Sequence, residues 1–399
     1  MRNTSATRRT PRAVLVACAA MAVAATTTPA FAAPGSASPP PGARGPVWTA
    51  SQVAADDATA ITTTRVDAHT TWVAGMRFLH QSGGLRFQPV IWERDDRTGP
   101  GWKELATAPV PEYDTRFNDV DASSRRNALA VGDHSEAAQG IVTQRWDGTK
   151  WRTAIAPVSP GSWGAGFLSV ESLSPRDGWA VGWDQVPSPD GSRSVGQIQH
   201  WDGQQWTRSD LPDVDEGPGG GWTLAEVSAR NSRDVWAVGG TFSREKAVPV
   251  ALHYDGSAWK RTDLPAIGER ARLNGVAAAP DGTVWAVGEI AARGGPSTGL
   301  ALRYDGTQWT RTALPEGTGA LTSVTLSEGA PVVLVKSNER VPSVLRLAGN
   351  TWKSMDLPTA VGGARLTALS LSAYDDTLDV SGVLDAGAAR PAVVLTARR

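Results

Sequence analysis

Two phrases, Trp179-Ala180-Val181-Gly182 and Trp201-Asp202-Gly203-Gln204-Gln205-Trp206, decide the fold, because both come back along the chain. The first recurs as Trp236-Ala-Val-Gly239 and Trp285-Ala-Val-Gly288, with weaker forms at Trp72-Val-Ala-Gly75 and Leu129-Ala-Val-Gly132. The second recurs at Trp146–Trp151, Tyr254–Trp259 and Tyr304–Trp309, degraded at Leu347–Trp352 and stretched between Trp92 and Trp102. Each copy runs on to a proline: Pro109, Pro157, Pro212, Pro265, Pro315 and Pro358. Upstream stands an apolar start, Val66, Val120, Val170, Val227, Val276, Val324 and then Leu369, roughly 50 residues apart, the period of a propeller blade.

Side-chain alternation turns one repeat into four strands. Strand A carries the Leu-x-x-Val start. Strand B is the Trp-Ala-Val-Gly phrase, apolar on both faces and so buried between neighbours. Strand C ends at the aromatic, and Asp-Gly is expected to make a two-residue hairpin in which glycine tolerates positive φ. Strand D opens at the following Trp and stops at Pro, which cannot donate to a ladder. Each outer Trp should roof the sheet beneath it, burying on the order of 150–250 Å². The sequence therefore predicts an all-β, seven-bladed β-propeller with four-stranded blades. The seventh unit holds strand A (Leu366–Leu369), strand B (Thr377–Gly382) and strand C (Pro391–Thr396) but no strand D. Gly45-Pro46-Val47-Trp48-Thr49-Ala50 matches Gly306–Arg311 in kind, so the N-terminal strand is expected to close the ring and remove its open edges.

Residues 1–32 read as a secretory signal peptide: Arg2, Arg8, Arg9 and Arg12 precede an apolar run, and Ala30-Phe31-Ala32 is an A-x-A cleavage site. Leu15-Val16-Ala17-Cys18 is an alternative lipoprotein box that would anchor the chain at Cys18. Residues 33–44 form a Pro/Ser/Gly-rich spacer, expected to be disordered, and 45–399 a single domain. Cys18 is the only cysteine, so a secreted chain would have no disulfide and must hold together by packing. Without the leader's four arginines, 35 basic side chains face 40 acidic ones, which argues against nucleic acid as a partner. No later stretch has the ~18 apolar residues of a membrane span.

The Trp-Ala-Val-Gly and Asp-Gly-x-x-Trp phrases resemble those of secreted bacterial propellers of the kelch and galactose-oxidase central-domain type. They are also similar to Asp-box propellers (sialidase-like) and photosystem-assembly-factor propellers. The resemblance covers Val47 to Arg399 and implies the fold, not a chemistry. Kelch blades carry Gly-Gly after strand B, found here only at Gly239-Gly240; the Asp-box has one residue between Asp and Gly, and this chain has none. Galactose oxidase needs a Tyr–Cys crosslink, and with no mature cysteine neither that activity nor a copper cofactor is expected.

Of 17 tryptophans, Trp163, Trp183 and Trp222 are not required by the repeat. The expected topology puts all three in loops on the ligand face, where exposed rings could stack on a sugar or aromatic ligand. Arg116, Arg272 and Arg365 each precede the first apolar residue of strand A, where guanidinium forks could hold a carboxylate, much as sialidases use arginines. Tyr113 beside Arg116, and Asp133 followed by His134, are candidate catalytic residues, with Glu112, Asp114 and Glu289 on the same face. His200 and His253 occupy a repeat position and are read as structural. Asp213, Asp215 and Glu216 form an acidic loop that could hold calcium, although no metal or cofactor is expected. The reading is a secreted non-catalytic binding module for an extracellular glycan, peptide or protein. The alternatives are a glycoside hydrolase or lyase acting on an anionic sugar, and a structural cell-envelope protein.

Overall fold

The computed structural model describes residues 47–398, apart from 55–56, 82–83, 111–113, 135–139, 190, 215–219, 244–245, 269, 337–341, 359, 386 and 388–389. The leader, Cys18, Tyr113, Asp215 and Glu216 therefore lie outside the described residues. Every named element is a strand, and among the described residues no helix is long and apolar enough to cross a membrane.

The chain opens with β1 (Thr49–Gln52), then β2 (Ala58–Arg65), β3 (Thr70–Gln81), β4 (Gly84–Asp95) and β5 (Lys103–Leu105), the last four forming one sheet. Next come β6 (Thr115–Ser124), β7 (Asn127–His134), β8 (Ile141–Trp146), β9 (Trp151–Ala156), β10 (Ala165–Ser174), β11 (Asp177–Ser188), β12 (Gly191–Trp201) and β13 (Trp206–Arg208). These eight are one hydrogen-bonded sheet whose halves meet only at Gly166 and Asp133. Three four-stranded sheets follow. They are β14 (Gly221–Asn231), β15 (Asp234–Phe242), β16 (Pro249–Tyr254) and β17 (Trp259–Arg261); β18 (Ala271–Ala278), β19 (Val284–Ile290), β20 (Thr298–Tyr304) and β21 (Trp309–Arg311); and β22 (Leu321–Ser327), β23 (Ala330–Val335), β24 (Ser343–Ala348) and β25 (Thr351–Asp356). Finally β26 (Ala360–Val361), β27 (Ala364–Tyr374), β28 (Thr377–Asp385) and β29 (Ala392–Arg398) join β1 in a five-stranded sheet ordered β1-β29-β28-β27-β26.

This is an all-β propeller, but hydrogen bonding does not divide it into seven separate four-stranded sheets. It gives six sheets, because Gly166 bonds across to Asp133. The first and last sheets also depart in phase from the sequence expectation. Val66 lies beyond β2, and Thr63 takes the place that Val120 has in β6; in β27 that place belongs to Leu371, not Leu369. The apolar pattern misled because the register is set by a glycine. Strand A bulges opposite the strand-B glycine, and a Cβ on Gly132, Gly182, Gly239 or Gly288 would stand 1.9–2.0 Å from a strand-A carbonyl oxygen. A Cβ on Gly75 would stand 1.9 Å from Thr59 O and one on Gly382 2.3 Å from Thr367 O, which fixes the equivalences in the first and last sheets.

The Asp-Gly hairpin is also built differently from expectation. Trp146 pairs with Trp151, leaving a four-residue loop in which the N–H groups of Thr149 and Lys150 both donate to Asp147 Oδ1 at 3.0 Å. Gly148 takes φ 93° behind it. The aspartate side chain closes this turn, as Asx turns do. Hydrogen bonds hold the Asp147 carboxyl far below the usual range, and the same bonds around Asp305 hold that carboxyl at about 2.

The tryptophans pack both within their own sheet, as Trp201 on Trp206, and between sheets. Trp72 of β3 meets Trp146 and Trp151 of the next sheet at 5.8 and 5.7 Å. Trp179 meets Tyr254 and Trp259, Trp236 meets Tyr304 and Trp309, and Trp285 meets Trp352. In this protein without a described disulfide, these tilted and edge-to-face ring clusters join neighbouring sheets; each aromatic pair adds about 0.5–1.5 kcal/mol beyond area burial.

Candidate functional site

The expected site residues are best located by register. Phe117 pairs with Gly132, Phe167 with Gly182 and Leu273 with Gly288, so the next pair outward lies at the same end of each sheet. Those pairs are Arg116 with Asp133, Gly166 with Trp183, and Arg272 with Glu289. Arg116 and Arg272 therefore do share a register. Arg365 does not: it is exposed opposite Asp385, two residues farther out, because Thr367 occupies the Arg116 place in β27.

Both in-register arginines are joined to a carboxylate across the strand pair. Arg116 Nε and Nη2 donate to Asp133 Oδ1 and Oδ2 at 2.9 and 3.0 Å, a bidentate fork, and Asn118 Nδ2 adds a third bond at 3.1 Å. Asp133 thus accepts three side-chain hydrogen bonds, two of them from Arg116. Arg272 is ion-paired with Glu289. The acidic partner was visible in the sequence as the residue after Gly132 and Gly288, but only register shows that it faces the arginine.

The three tryptophans diverge in role. Trp183 lies in β11 and Trp222 in β14, not in loops. Trp222 is 6% exposed and belongs to a core cluster, its ring filling the space a Cβ on Gly196 would need. Trp183 is half-buried, with its ring in contact distance of Gly164 and Gly166. Only Trp163, between β9 and β10, is exposed, at 60%; its N–H donates to Gln185 O at 3.0 Å, fixing the loop to β11. Small glycines opposite Trp183 and Trp222 were the sequence clue that these rings pack.

Beside Arg272 the structure has a pocket of about 270 Å³ that sequence reading missed. Its wall is the turn after β15, where Ser243 N–H donates to Lys246 O at 2.9 Å. Ala271 N–H donates to Ala247 O at 3.0 Å, and Ala291 N–H to Arg270 O at 2.7 Å, so backbone bonds preform the cleft. Gly240, the second glycine of the lone Gly-Gly pair, lets the Arg272 stem pass: a Cβ there would stand 3.0 Å from Arg272 Cβ. Among the described lining residues, Lys246, Arg270 and Arg272 set three positive charges against the one carboxylate of Glu289. Such a cleft favours an anionic group.

The innermost strands β2, β6, β10, β14, β18, β22 and β27 line a channel of about 370 Å³. It carries Asp119, Asp121, Glu171 and Glu226. Burial pushes Asp119 up to about 6 and raises Asp121; burial, reinforced by neighbouring carboxylates, raises Glu171 and Glu226 well above the ordinary value. Among the described residues no group of three or more His, Cys, Asp or Glu is placed to hold a metal ion.

The fold and this end of the sheets define a β-propeller protein. No family model matches the chain, and no curated protein matches it. Among solved structures it is similar to YCF48 bound to D1 peptide, at 15% identity over 88% of this chain and 95% of that one, TM-score 0.55. It is also similar to the WD40 β-propeller domain of Doa1, at 10% identity over 89% of this chain and 97% of that one, TM-score 0.53. At these identities the likeness speaks for the fold alone.

Proposed function

We propose that the protein is a secreted, non-catalytic binding module that takes a peptide or protein partner at the end of the propeller carrying Arg116, Trp163 and Arg272. An anionic group of the partner would enter the cleft between Lys246, Arg270 and Arg272. The observation that carries this reading is the cleft itself, preformed by backbone hydrogen bonds and lined, among the described residues, by three cations against one carboxylate. YCF48, on a similar propeller, is described with a bound peptide. Engagement of Asp133 by Arg116 and Asn118 favours binding over catalysis. The exposed ring of Trp163 keeps an extracellular glycan as a second reading.

The same proposal includes seven blades closed by the N-terminal strand. Its supports are the innermost strands that share the channel, and the pairing of Thr49 with Thr396 through Gln52 with Val393. Secretion rests on the basic, apolar and A-x-A segments of residues 1–32. Kinship with kelch, galactose-oxidase-type and Asp-box propellers rests on the repeated phrases quoted above.

A peptide array probed with the mature protein tests the binding reading, with each acidic peptide paired to its Asn/Gln counterpart and polysaccharides spotted alongside. Acidic peptides should be retained and their neutral counterparts lost, and Lys246→Ala with Arg270→Ala should weaken an acidic hit about tenfold, or about 1.4 kcal/mol. Equal retention of both peptide forms overturns the anionic cleft. Retention of polysaccharide alone makes the module a glycan binder.

A further inference from the structure

β6, β14 and β18 are edge strands of their sheets, and β10 meets β7 only at Gly166, so the N–H groups farther along their open sides need partners from outside the ladder. At three successive junctions the preceding strand supplies them in pairs. Between β6 and β10, Val170 N–H donates to Asp119 Oδ2 at 2.9 Å and Ser172 N–H to Asp121 Oδ2 at 2.8 Å. Between β10 and β14, Val227 N–H donates to Ser169 Oγ at 3.4 Å and Ala229 N–H to the Glu171 carboxylate. Between β14 and β18, Val276 N–H donates to Glu226 Oε2 at 3.1 Å and Ala278 N–H to Ser228 Oγ at 3.2 Å. Gly275 makes room for this contact, since a Cβ there would stand 2.8 Å from Glu226 Oε2. Four of the six acceptors are carboxylates, in one narrow channel.

We propose that Asp119, Asp121, Glu171 and Glu226 form a proton-operated latch between neighbouring innermost strands, tightening the ring on acidification and loosening it toward alkaline pH.

The charge balance of the channel drives the latch. The cation lining it is Arg65, which is already neutralised by Asp379 at 2.6 Å. The other polar side chains lining the channel are hydroxyls from β2, β10, β14, β22 and β27; β18 contributes Val276, Ala277 and Ala278, none of them titratable. Thr62 and Thr64 donate to Asp119 and Asp121 at 3.0 and 3.3 Å, but hydroxyls do not cancel charge. Four like charges in poor solvation therefore repel across the very junctions their oxygens bridge. A protonated carboxyl keeps its carbonyl oxygen as acceptor for the neighbouring N–H and loses the repulsion.

The direction of linkage follows. Unfolded, these groups titrate near 4. Folded, Asp119 titrates near 6, and Glu171 and Glu226 are also well above their ordinary value. Between the two states' values the native protein holds more protons than the unfolded chain, so stability is greatest below that window and falls as pH rises through it. The turn aspartates Asp147, Asp255 and Asp305 have the opposite sign, and their contribution is lost only as pH falls below about 4.

Thermal melts of the mature protein from pH 4.5 to 8.5 test the latch, alone and with Glu171→Gln, Glu226→Gln and both. The wild type should melt at least about 2 °C higher at pH 5 than at pH 8. The double variant, which keeps both acceptor oxygens, should lose most of that slope and gain stability at pH 8. A wild-type Tm that is flat or rising from pH 5 to 8, or an unchanged slope in the double variant, overturns the proposal. Should a glutamine variant not fold, amide exchange in the wild type decides. Ala229 and Val276, corrected for intrinsic rates, must be better protected at pH 5 than at pH 8; equal protection overturns the latch.

Discussion

Arg65 Nη1 lies 2.6 Å from Asp379 Oδ2, and neither side chain has any exposed surface. The pair links the innermost strand of the first sheet to β28 of the last. Thr396 Oγ1 donates to the other Asp379 oxygen at 2.5 Å. Arg94 Nη2 donates to Thr396 Oγ1, Arg94 Nη1 donates to Ser51 Oγ at 3.2 Å, and the guanidinium lies 5.0 Å from the Trp102 ring centre. Ring contacts carry the seams at Trp72, Trp179, Trp236 and Trp285, whereas this one is ionic. Removing one member leaves a buried charge whose remaining opposite charge, Asp96 for Arg65 or Arg94 for Asp379, stands 3.8 Å away, whereas replacing both by apolar groups leaves neither.

Asp379→Ala should therefore cost about 3–5 kcal/mol. Arg65→Met combined with Asp379→Leu should recover much of that loss. Denaturant melts of both variants check the claim; equal destabilisation by the single and double changes would mean the pair contributes by shape and not by charge.

Deleting residues up to Gln52 from the mature chain removes β1 and with it Trp48, which packs against the core of the last sheet. The expected outcome is a lower melting temperature and association through the bared β29 edge. Light scattering and melting curves measure it, and a truncated chain as stable as the parent would show that β1 adds nothing.

Gly288→Ala should be among the most damaging single changes, because the new Cβ would meet Arg272 O at 1.9 Å. Backbone must move, at a cost of several kcal/mol or more than about 3. Gly101→Ala, with nothing within 4 Å and no positive φ, is the control that should stay neutral. Loss of secondary structure or a large fall in the urea midpoint distinguishes them.

Trp163→Ala should leave stability within about 0.5 kcal/mol of the parent, as for an exposed side chain. Trp222→Ala should cost about 3–5 kcal/mol through its buried contacts over Gly196. Matching melts for the two variants would mean that burial does not separate their roles.

The repeat and the strand order within it were legible in the sequence because they rest on local alternation and on turn chemistry. Trp-Ala-Val-Gly can only be a strand buried on both faces, and Asp147-Gly148 can only be a turn, whichever turn it proves to be. Phase in the first and last sheets was not legible. It depends on the bulge opposite Gly75 and Gly382, and a bulge moves every later residue of the strand without altering the apolar pattern.

What the sequence alone determined is the residue inventory of each strand: where glycine, proline and tryptophan stand, and hence the all-β repeat. Tertiary structure decided which of those residues meet. It buried Trp222 while leaving Trp163 in solvent, joined Arg116 to Asp133 and Arg272 to Glu289, and put Arg365 outside their register. It also gathered Asp119, Asp121, Glu171 and Glu226 from three strands into one channel. Periodicity fixes which way a side chain points from its own strand; only the stagger and packing of separate sheets fix what it points at, and charge pairing, burial and pKa all follow from the second.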